Sequence, residues 1–405
     1  MLTIGLVFGG VSPEHEVSVI TALQMASAMD RTKYTPVPLY IAKDGTWYSG
    51  DPLLDLSRYK DLDALVDAAY PVTLAPAQAG GVEMQSREAT KFWQKPAPAR
   101  MLDVLFLALH GGEGENGGVQ GLCETYNVPY TGSGVLGSAV GMDKVITKML
   151  CRDQGIPVVK YVALRESEWA DREEEWLDRI EEQLGYPVVV KPARLGSSIG
   201  IRLARDRAAL DAAIEDAIRY DDKVVVEYAV RHLREINCSV LGDADEAVAS
   251  VLEEPRTSAG ETMLTFQEKY MRGGSGSKGA KQPASPSEGM ASLDRIIPAP
   301  IAPEQTAAVQ ELAVRVFKLF ECAGLARIDF LMDGETGEVF FNEINTIPGS
   351  FSFYLWEPSG VPFDELAHRL IQLALARHRE KNRRVRSYDV NLLALRASGG
   401  AKRKA

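Results

Sequence analysis

The first chemically suggestive feature is a glycine- and serine-rich turn that follows a short apolar strand. Residues 188–190 run into Lys191-Pro192-Ala193-Arg194-Leu195-Gly196-Ser197-Ser198-Ile199-Gly200. Glycines let the backbone approach a ligand closely, and successive N–H groups with serine hydroxyls can hold phosphate oxygens. Lys191 adds a positive charge, although the turn lacks the GxxxxGK[ST] pattern of a Walker A loop. The pattern favours a phosphate-binding loop, with a plain glycine-rich hairpin as the alternative.

Two triplets towards the C-terminus carry oxygen donors at alternate positions. They are Arg327-Ile328-Asp329 and Glu343-Ile344-Asn345, each on an apparent strand. Alternation places the outer members of each triplet on one face of the strand. Two carboxylates and an amide oxygen suit Mg²⁺ that bridges phosphates. The alternative is the solvated face of an amphipathic sheet.

Two further glycine-rich loops carry ionisable side chains. Residues 9–18 (GGVSPEHEVS) deliver Glu14 to the start of a helix, where an acid either anchors an ammonium group or complements the helix dipole. Residues 110–121 (HGGEGENGGVQG) surround His110 with glycines, which indicates a tight ligand loop or a neutral structural histidine. The GxGxxG pattern of dinucleotide-binding enzymes is missing from the first loop, which argues against an NAD enzyme.

The apolar pattern predicts which elements position these groups. Residues 2–8 and 101–109 have the length and continuous apolar character of buried parallel strands, and residues 16–29 have helical spacing. Loops at the carboxyl ends of such strands are where α/β folds place ligands. Residues 49–98 are hard to assign, and we expect them to be peripheral.

After a hinge at residues 130–134, the pattern predicts two α+β units. Helices are predicted at 135–154, 167–184, 208–218, 303–322 and 363–380. Strands are predicted at 158–164, 187–192, 200–204, 223–228, 236–241, 247–253, 326–332 and 339–344. The expected domains are 1–134, 135–226 and 227–382, followed by a basic, disordered tail at 383–405. The Gly/Ser/Pro/Lys-rich stretch 273–292 is expected to be mobile.

Bulk composition is that of a soluble globular protein. The 405 residues carry a net charge of −11, with 45% hydrophobic and 25% charged residues, so nucleic-acid binding has no electrostatic support. The four cysteines form no CxxC pair, which predicts buried, reduced thiols in a cytoplasmic protein. No apolar run approaches the roughly 20 residues that span a membrane. We interpret the N-terminus as a first strand and not as a signal peptide.

Taken in order, these segments resemble the D-alanine:D-alanine ligase family of the ATP-grasp superfamily over nearly all of residues 1–382. The matching elements are GGVSPEHEVS, ALHGGEGENGGVQG, VPYTGSGVLGSAVGMDKVITK, VVVKPARLGSSIGI, QEKY, GLARIDF and NEINTIPG. The resemblance implies a three-domain ATP-grasp fold of α/β and α+β units. Its N-terminal domain would be Rossmann-like with a parallel sheet, and ATP would lie between the central and C-terminal units.

The resemblance also implies roles for individual residues. The ATP-binding residues would be Lys144, Lys191, Ser198, Glu227, Tyr228, Ala229, Val230, Glu235 and Lys269. Within this set the two phosphate-binding lysines are Lys144 and Lys191, residues 227–230 frame adenine, Glu235 binds ribose and Lys269 meets the transferred phosphate. Two Mg²⁺ ions would be held by Asp329, Glu343 and Asn345.

Further residues would act on the amino-acid substrates. Glu14, Ser197 and Tyr270 resemble the hydrogen-bonded triad that closes a loop over them, and His110 would lie near the first substrate's carboxylate. Arg327 and the backbone of Gly349 would stabilise the oxyanion.

The implied activity is ATP-dependent ligation of two D-alanine molecules to D-alanyl-D-alanine through an acyl phosphate, for peptidoglycan precursor synthesis. Mg²⁺ is the expected cofactor, and Mn²⁺ is expected to substitute for it. The expected partners are D-alanine, ATP and a second copy of the chain in a cytoplasmic homodimer, with no membrane and no nucleic acid.

Two departures from the family leave the second substrate open. The run after Gly349 is about four residues shorter than usual, so Ser350 or Ser352 would have to replace the serine that binds the second carboxylate. The lid after Tyr270 is enlarged by residues 273–292. The alternative is therefore a D-alanine:D-serine ligase or another amino-acid ligase, although Tyr270 favours an amine over the hydroxyl of D-lactate. A regulatory nucleotide-binding protein would lack catalytic residues that are all present here.

Overall fold

The structure is a computed structural model that describes residues 1–77, 81–87, 98–256 and 295–385. In these ranges the strands form a seven-stranded, a four-stranded and a five-stranded sheet. The first sheet consists of β1 (Leu2–Gly9), β2 (Tyr34–Ile41), β3 (Trp47–Ser49), β4 (Tyr70–Pro76), β5 (Val82–Ser86), β6 (Arg100–Leu102) and β7 (Val104–Leu107). Its helices are α1 (His15–Ala28), α2 (Leu62–Asp67), α3 (Gly112–Glu115) and α4 (Gly118–Tyr126).

The first sheet is parallel only at the end that carries β7, which corrects the expected parallel sheet. Strand β1 pairs in parallel with β2 and β7, whereas β3 to β6 pair in antiparallel fashion towards the opposite edge. Ile4, Leu6 and Phe8 on β1 are fully buried, because a central parallel strand is covered on both faces. The segment 49–98 supplies β4 and β5, so it belongs to the sheet and is not peripheral.

Two aspartates interrupt elements that the sequence predicts to be continuous. Asp103 accepts a hydrogen bond from the Thr3 N–H (2.7 Å) and separates β6 from β7 within the predicted strand 101–109. Asp143 caps a helix by accepting from the Val145 and Ile146 N–H groups, both at 3.0 Å. The predicted helix 135–154 is therefore two helices, α5 (Val135–Met142) and α6 (Lys144–Asp153).

The other two sheets are antiparallel throughout and each packs against helices. The four-stranded sheet, in the order β10-β9-β11-β8, consists of β8 (Tyr161–Arg165), β9 (Val188–Pro192), β10 (Arg202–Ala204) and β11 (Lys223–Tyr228), with α7 (Glu166–Leu184) and α8 (Arg207–Ile218). The five-stranded sheet, in the order β14-β13-β12-β15-β16, consists of β12 (Leu233–Gly242), β13 (Ala247–Pro255), β14 (Arg295–Ile296), β15 (Gly324–Asp333) and β16 (Val339–Asn345). This part of the chain also forms three helices. Helix α9 (Pro303–Leu319) lies between β14 and β15 in the sequence, and α10 (Phe353–Trp356) and α11 (Phe363–Asn382) come after β16.

The apolar cores do not divide the chain in the same way as the sheets. The main core of the four-stranded sheet is built from residues 162–226, and Val145 of α6 packs in a smaller cluster with Val225 of β11. The core of the first sheet, by contrast, includes Phe351, Trp356, Leu366 and Leu370 from the C-terminal part of the chain. Phe351 packs edge-on against Phe106 of β7 at 5.3 Å between ring centroids. The first and last parts of the chain therefore share one core.

The four cysteines are buried free thiols, as predicted. Burial raises the pKa of each thiol to about 12, so none is a reactive thiolate at neutral pH. Among the helices that the structure describes, none is long and apolar enough to cross a membrane.

Candidate active site

Residues from all three sheets and their loops line one cavity. Ten of the predicted site residues contribute to its wall: Glu14, His110, Lys144, Ser197, Glu235, Arg327, Asp329, Glu343, Asn345 and Gly349. A small neighbouring pocket shares Glu235, Asp329 and Glu343 with this cavity and adds Lys191 and Ser198. A third pocket shares Lys191 and is mainly apolar: its wall includes Tyr228, Ala229, Val230, Leu203 and Leu331. The predicted phosphate, metal and adenine residues therefore lie along one continuous surface.

The N-terminal loop and the glycine-serine turn meet at Glu14. The Ser197 hydroxyl donates a hydrogen bond to the Glu14 carboxylate. Glycines lie on both sides of this carboxylate, since a Cβ at Gly111 or Gly196 would lie 2.6 or 2.8 Å from its Oε2 atom. Gly111 also has a φ of +67°, which disfavours a side chain there. Close packing of three loops therefore fixes Glu14, which is only 8% exposed.

Lys144 connects the glycine-serine turn to the predicted metal ligands. It is the first residue of α6, and its side chain is buried. Its Nζ atom donates to the Leu195 carbonyl oxygen at 2.7 Å and lies 3.3 Å from Glu343 Oε2. A cation in this position can face phosphate oxygens and a metal-binding carboxylate together.

A buried ion triad lies behind the phosphate loop. Glu227 lies 2.8 Å from Lys191 Nζ through Oε2 and 2.9 Å from Lys148 Nζ through Oε1. Lys191 also donates to Asn342 Oδ1 at 2.9 Å. Burial opposes ionisation of Glu227, but the two lysine charges outweigh it and lower its pKa to about 2. The Glu227 carboxylate thus fixes Lys191, a contact that the predicted adenine-framing role did not include.

Lys148, the second lysine partner of Glu227, is a residue that sequence reasoning missed. It is fully buried, and burial lowers the pKa of its ammonium group despite the Glu227 charge. Its spacing of four residues from Lys144 places both lysines on one face of α6. That i, i+4 pair was the signal available in the sequence.

The predicted metal ligands lie opposite one another on β15 and β16. Asp329 pairs with Glu343 and Arg327 pairs with Asn345 across the strands. Arg327 donates from Nε and Nη2 to the two oxygens of Asp329, both at 2.7 Å, and Asn345 Nδ2 donates to Asp329 Oδ2 at 3.1 Å. The described residues contain no cluster of three or more His, Cys, Asp or Glu placed to hold a metal. The strands thus offer two carboxylates and an amide, and phosphate oxygens would have to complete a magnesium site.

His110 lies in the wall of the cavity as a neutral group. Its Nε2 atom is 3.1 Å from the Thr21 hydroxyl. Burial, followed by the Arg327 charge, lowers its pKa to about 4. A neutral imidazole offers a hydrogen bond and no charge to a substrate at pH 7.

Glu115 is a second residue that sequence reasoning missed, because it lies within a run of glycines. Its carboxylate accepts from the Gly111 N–H at 3.0 Å and from the Ile347 N–H at 3.2 Å. It therefore ties the His110 loop to the segment that leads into Gly349. Burial, followed by the negative charge of Glu14, raises the pKa of Glu115 to about 7.

Glu115 predicts a pH dependence of stability. Its pKa is about 7 in the folded chain against 4.5 for the ordinary carboxyl, so the folded state binds the extra proton. Protonation of Glu115 therefore stabilises the folded state against unfolding. This contribution is complete below pH 4.5 and is lost as the pH rises through 7. In Glu115→Gln, which cannot ionise, we expect the melting temperature measured by calorimetry to fall less between pH 5 and 8 than in the unmutated chain. Glu113→Gln, at an exposed position of the same helix, is the control, and identical slopes for all three proteins would contradict the assignment.

Comparison with known proteins identifies the family. A family model described as D-ala D-ala ligase N-terminus matches residues 3–133, and one described as D-ala D-ala ligase C-terminus matches residues 150–372. The D-alanine–D-alanine ligase of Heliobacterium modesticaldum is 42% identical over 385 residues, covering 94% of this chain and 96% of that protein. That of Thermosipho melanesiensis is 38% identical over 396 residues, covering 98% and 99%. This chain belongs to the D-alanine–D-alanine ligase family.

Solved structures of related ligases have the same fold. The D-alanine–D-alanine ligase of Coxiella burnetii aligns with a TM-score of 0.76 at 30% identity and covers 94% of this chain and 96% of that one. The VanG D-Ala:D-Ser ligase of Enterococcus faecalis aligns with a TM-score of 0.73 at 29% identity and covers 92% and 99%. The family membership and the ATP-grasp fold that the motifs implied are confirmed, with the N-terminal sheet mixed and not wholly parallel.

The turn after Gly349 differs from what the D-alanine–D-alanine ligase family led us to expect. Ser350, Phe351 and Ser352 have successive φ angles of +53°, +49° and +47°, a left-handed turn that costs non-glycine residues about 1–2 kcal/mol each. The Ser350 N–H donates to the Thr21 hydroxyl at 3.0 Å. Both serines are fully buried, and neither lines the cavity. The turn packs against α1, so the prediction that these serines bind the second substrate receives no support from the geometry.

Several predicted features of a D-alanine–D-alanine ligase lie outside the described residues. They are Lys269, Tyr270, the stretch 273–292 and most of the basic tail. Among the described residues, the cavity wall also contains four that sequence reasoning missed: Asn237, Glu253, Arg295 and Tyr354. No local pattern marks these four, because they are far apart in the sequence and meet only in the folded chain.

Proposed function

We propose that this chain uses ATP to join two D-alanine molecules into D-alanyl-D-alanine through an acyl phosphate. The observation that carries the proposal is one cavity whose wall contains the Glu14 carboxylate, the buried Lys144 and the paired Asp329 and Glu343. An ammonium site, a phosphate site and a metal site within one cavity suit the activation of a carboxylate by phosphoryl transfer.

In the first step, the chain's residues bring two anions together. Lys144 and Lys191 face the ATP phosphates, and the apolar pocket formed by residues 228–230 receives the adenine. Glu14, fixed by Ser197, holds the ammonium group of the first D-alanine. The substrate carboxylate oxygen then attacks the γ-phosphorus as the bond to ADP breaks. Mg²⁺, or Mn²⁺ in its place, would be held by Asp329, Glu343 and Asn345, and would offset the phosphate charge.

In the second step, the amine of the second D-alanine attacks the acyl phosphate carbon, and phosphate and a proton leave. The Arg327 guanidinium lies in the cavity with its orientation set by Asp329, so it can face the developing oxyanion. Gly349 lies in the same wall and offers its backbone N–H. Water must be excluded from the acyl phosphate during this step.

We also propose that the chain has three domains, at 1–134, 135–226 and 227–382. It would act in the cytoplasm as a homodimer that supplies peptidoglycan precursors.

A second candidate function is D-alanine:D-serine ligation. It is favoured by the likeness to the VanG D-Ala:D-Ser ligase and by the altered turn after Gly349.

The purified chain, ATP, Mg²⁺ and pairs of D- and L-amino acids test the proposal. We expect phosphate release only with D-alanine as the first substrate, and mass spectrometry should detect D-alanyl-D-alanine as the main product. A larger yield of D-alanyl-D-serine from an equimolar mixture would favour the second candidate. Phosphate release that does not depend on any D-amino acid would overturn both.

A further inference from the structure

We propose that Arg295, with Tyr354 beside it, binds the carboxylate of the second amino acid. This inference rests on the proposed ligation and adds to it the group that recognises the acceptor. Neither residue belongs to the set that the family resemblance implied, and both line the cavity.

The second amino acid, which acts as the acceptor, carries a carboxylate. A buried carboxylate requires a positively charged partner in the cavity. Among the described residues that line the cavity, the side chains with a permanent positive charge are Lys144, Arg295 and Arg327. In the proposed reaction Lys144 faces the ATP phosphates, and Arg327, oriented by Asp329, faces the oxyanion. Ser350 and Ser352 do not line the cavity. Among these three described cations, Arg295 is therefore the one to which the proposed reaction assigns no role.

Arg295 is positioned by a buried network. Its Nη1 atom donates to Glu253 Oε2 at 2.7 Å, and the two side chains are 8% and 2% exposed. Asn237 Nδ2 donates to Glu253 Oε1 at 3.0 Å, and the Tyr354 hydroxyl donates to the same atom at 3.4 Å. The guanidinium carbon lies 3.8 Å from the centre of the Tyr354 ring. Such support fixes a binding side chain before the ligand arrives.

The network also suits the chemistry of a carboxylate ligand. A guanidinium has five N–H donors, so it can hold two carboxylates on different edges. Glu253 balances its charge when the acceptor is absent, which avoids a lone buried cation. Burial, followed by the Glu253 charge, raises the pKa of Tyr354, so its hydroxyl stays protonated, and its single O–H can turn from Glu253 to the acceptor carboxylate. The backbone of Arg295 pairs with Pro255 between β14 and β13, which places the side chain on a sheet and not on a free loop.

The test is a competition between D-alanine and D-alaninamide as acceptors, with D-alanyl-D-alanine and its amide quantified by mass spectrometry. Replacing Arg295 with methionine should reduce the preference for D-alanine about 10- to 100-fold, as expected when a charge-assisted hydrogen bond is lost. The KM for ATP and the KM for the first D-alanine should change little. Tyr354→Phe should shift the ratio in the same direction by a smaller factor.

Arg256→Met is the matched control, because Arg256 is exposed next to β13 and does not line the cavity; its product ratio should equal that of the unmutated chain. If Arg295→Met does not fold, Arg295→Lys decides, since it keeps a charge beside Glu253 but loses the planar fork. An unchanged ratio in both Arg295→Lys and Tyr354→Phe would overturn the inference. Failure of the proposed function would show separately, as absence of dipeptide from the unmutated chain.

Discussion

Replacing Glu343 with glutamine should lower turnover about a thousandfold while the protein still folds. Glu343 is the backbone partner of Asp329 in the pairing of β15 with β16, and its carboxylate lies 3.3 Å from Lys144 Nζ. Glutamine keeps the shape but removes a negative oxygen from the predicted magnesium site, where metal-based charge stabilisation is worth several kcal/mol. The Glu343 side chain is 22% exposed, and the strand is held by backbone pairing, so the melting temperature should change little.

The measurement is the initial rate of phosphate release as a function of Mg²⁺ concentration. Glu338→Gln is the matched control: it lies just before β16, is exposed and does not line the cavity. Part of the loss in Glu343→Gln should be recovered at high Mg²⁺, because weaker binding is offset by mass action. Near-normal turnover of Glu343→Gln at low Mg²⁺ would remove Glu343 from the metal site.

Replacing Lys191 with alanine should weaken ATP binding at least about tenfold and also destabilise the fold. The lost charge is the predicted phosphate contact, and charge-assisted hydrogen bonds contribute about 1.5–3 kcal/mol. The same lysine is one of two partners of the buried Glu227. Breaking a buried ion pair costs about 3–5 kcal/mol, because a charge is left uncompensated. Here Lys148 remains, so we expect the lower end of that range.

Lys148→Ala separates the two effects. It removes the other partner of Glu227, but Lys148 lines neither the main cavity nor the pocket beside it. We therefore expect denaturant unfolding to show similar destabilisation in both variants, whereas calorimetry should show the larger loss of ATP affinity in Lys191→Ala. Equal ATP affinities in the two variants would mean that Lys191 acts only through Glu227.

The parts of the site that depend on local pattern could be predicted from the sequence. Strand alternation indicates that Arg327 and Asp329 share a face, and the structure adds the register that places Glu343 opposite Asp329. Glycine spacing likewise locates the loops around Glu14 and His110. These patterns depend only on residues that are close together in the sequence, so they can be recognised before the tertiary fold is known.

The rest depended on tertiary structure or on competing local chemistry. Asn237, Glu253, Arg295 and Tyr354 come from four separate segments, and only the packing of the five-stranded sheet against α10 brings them together. The break at Asp143 was missed because the apolar spacing of 135–154 continues through it, while the aspartate ends one helix and caps the next. The edge of the first sheet was missed because strands that are covered on one face carry a weaker apolar signal.

The core that the first and last parts of the chain share limits how pieces of this enzyme can be exchanged with those of relatives. A chimaera that imports residues 1–134 alone would set a foreign β7 against the native Phe351 and α11, and mismatched volumes in a close-packed interior are destabilising. Residues 161–228 carry a core of their own. They form the more natural cassette for recombination, although Lys191 and Ser197 would travel with it and bring the donor's phosphate loop into the hybrid.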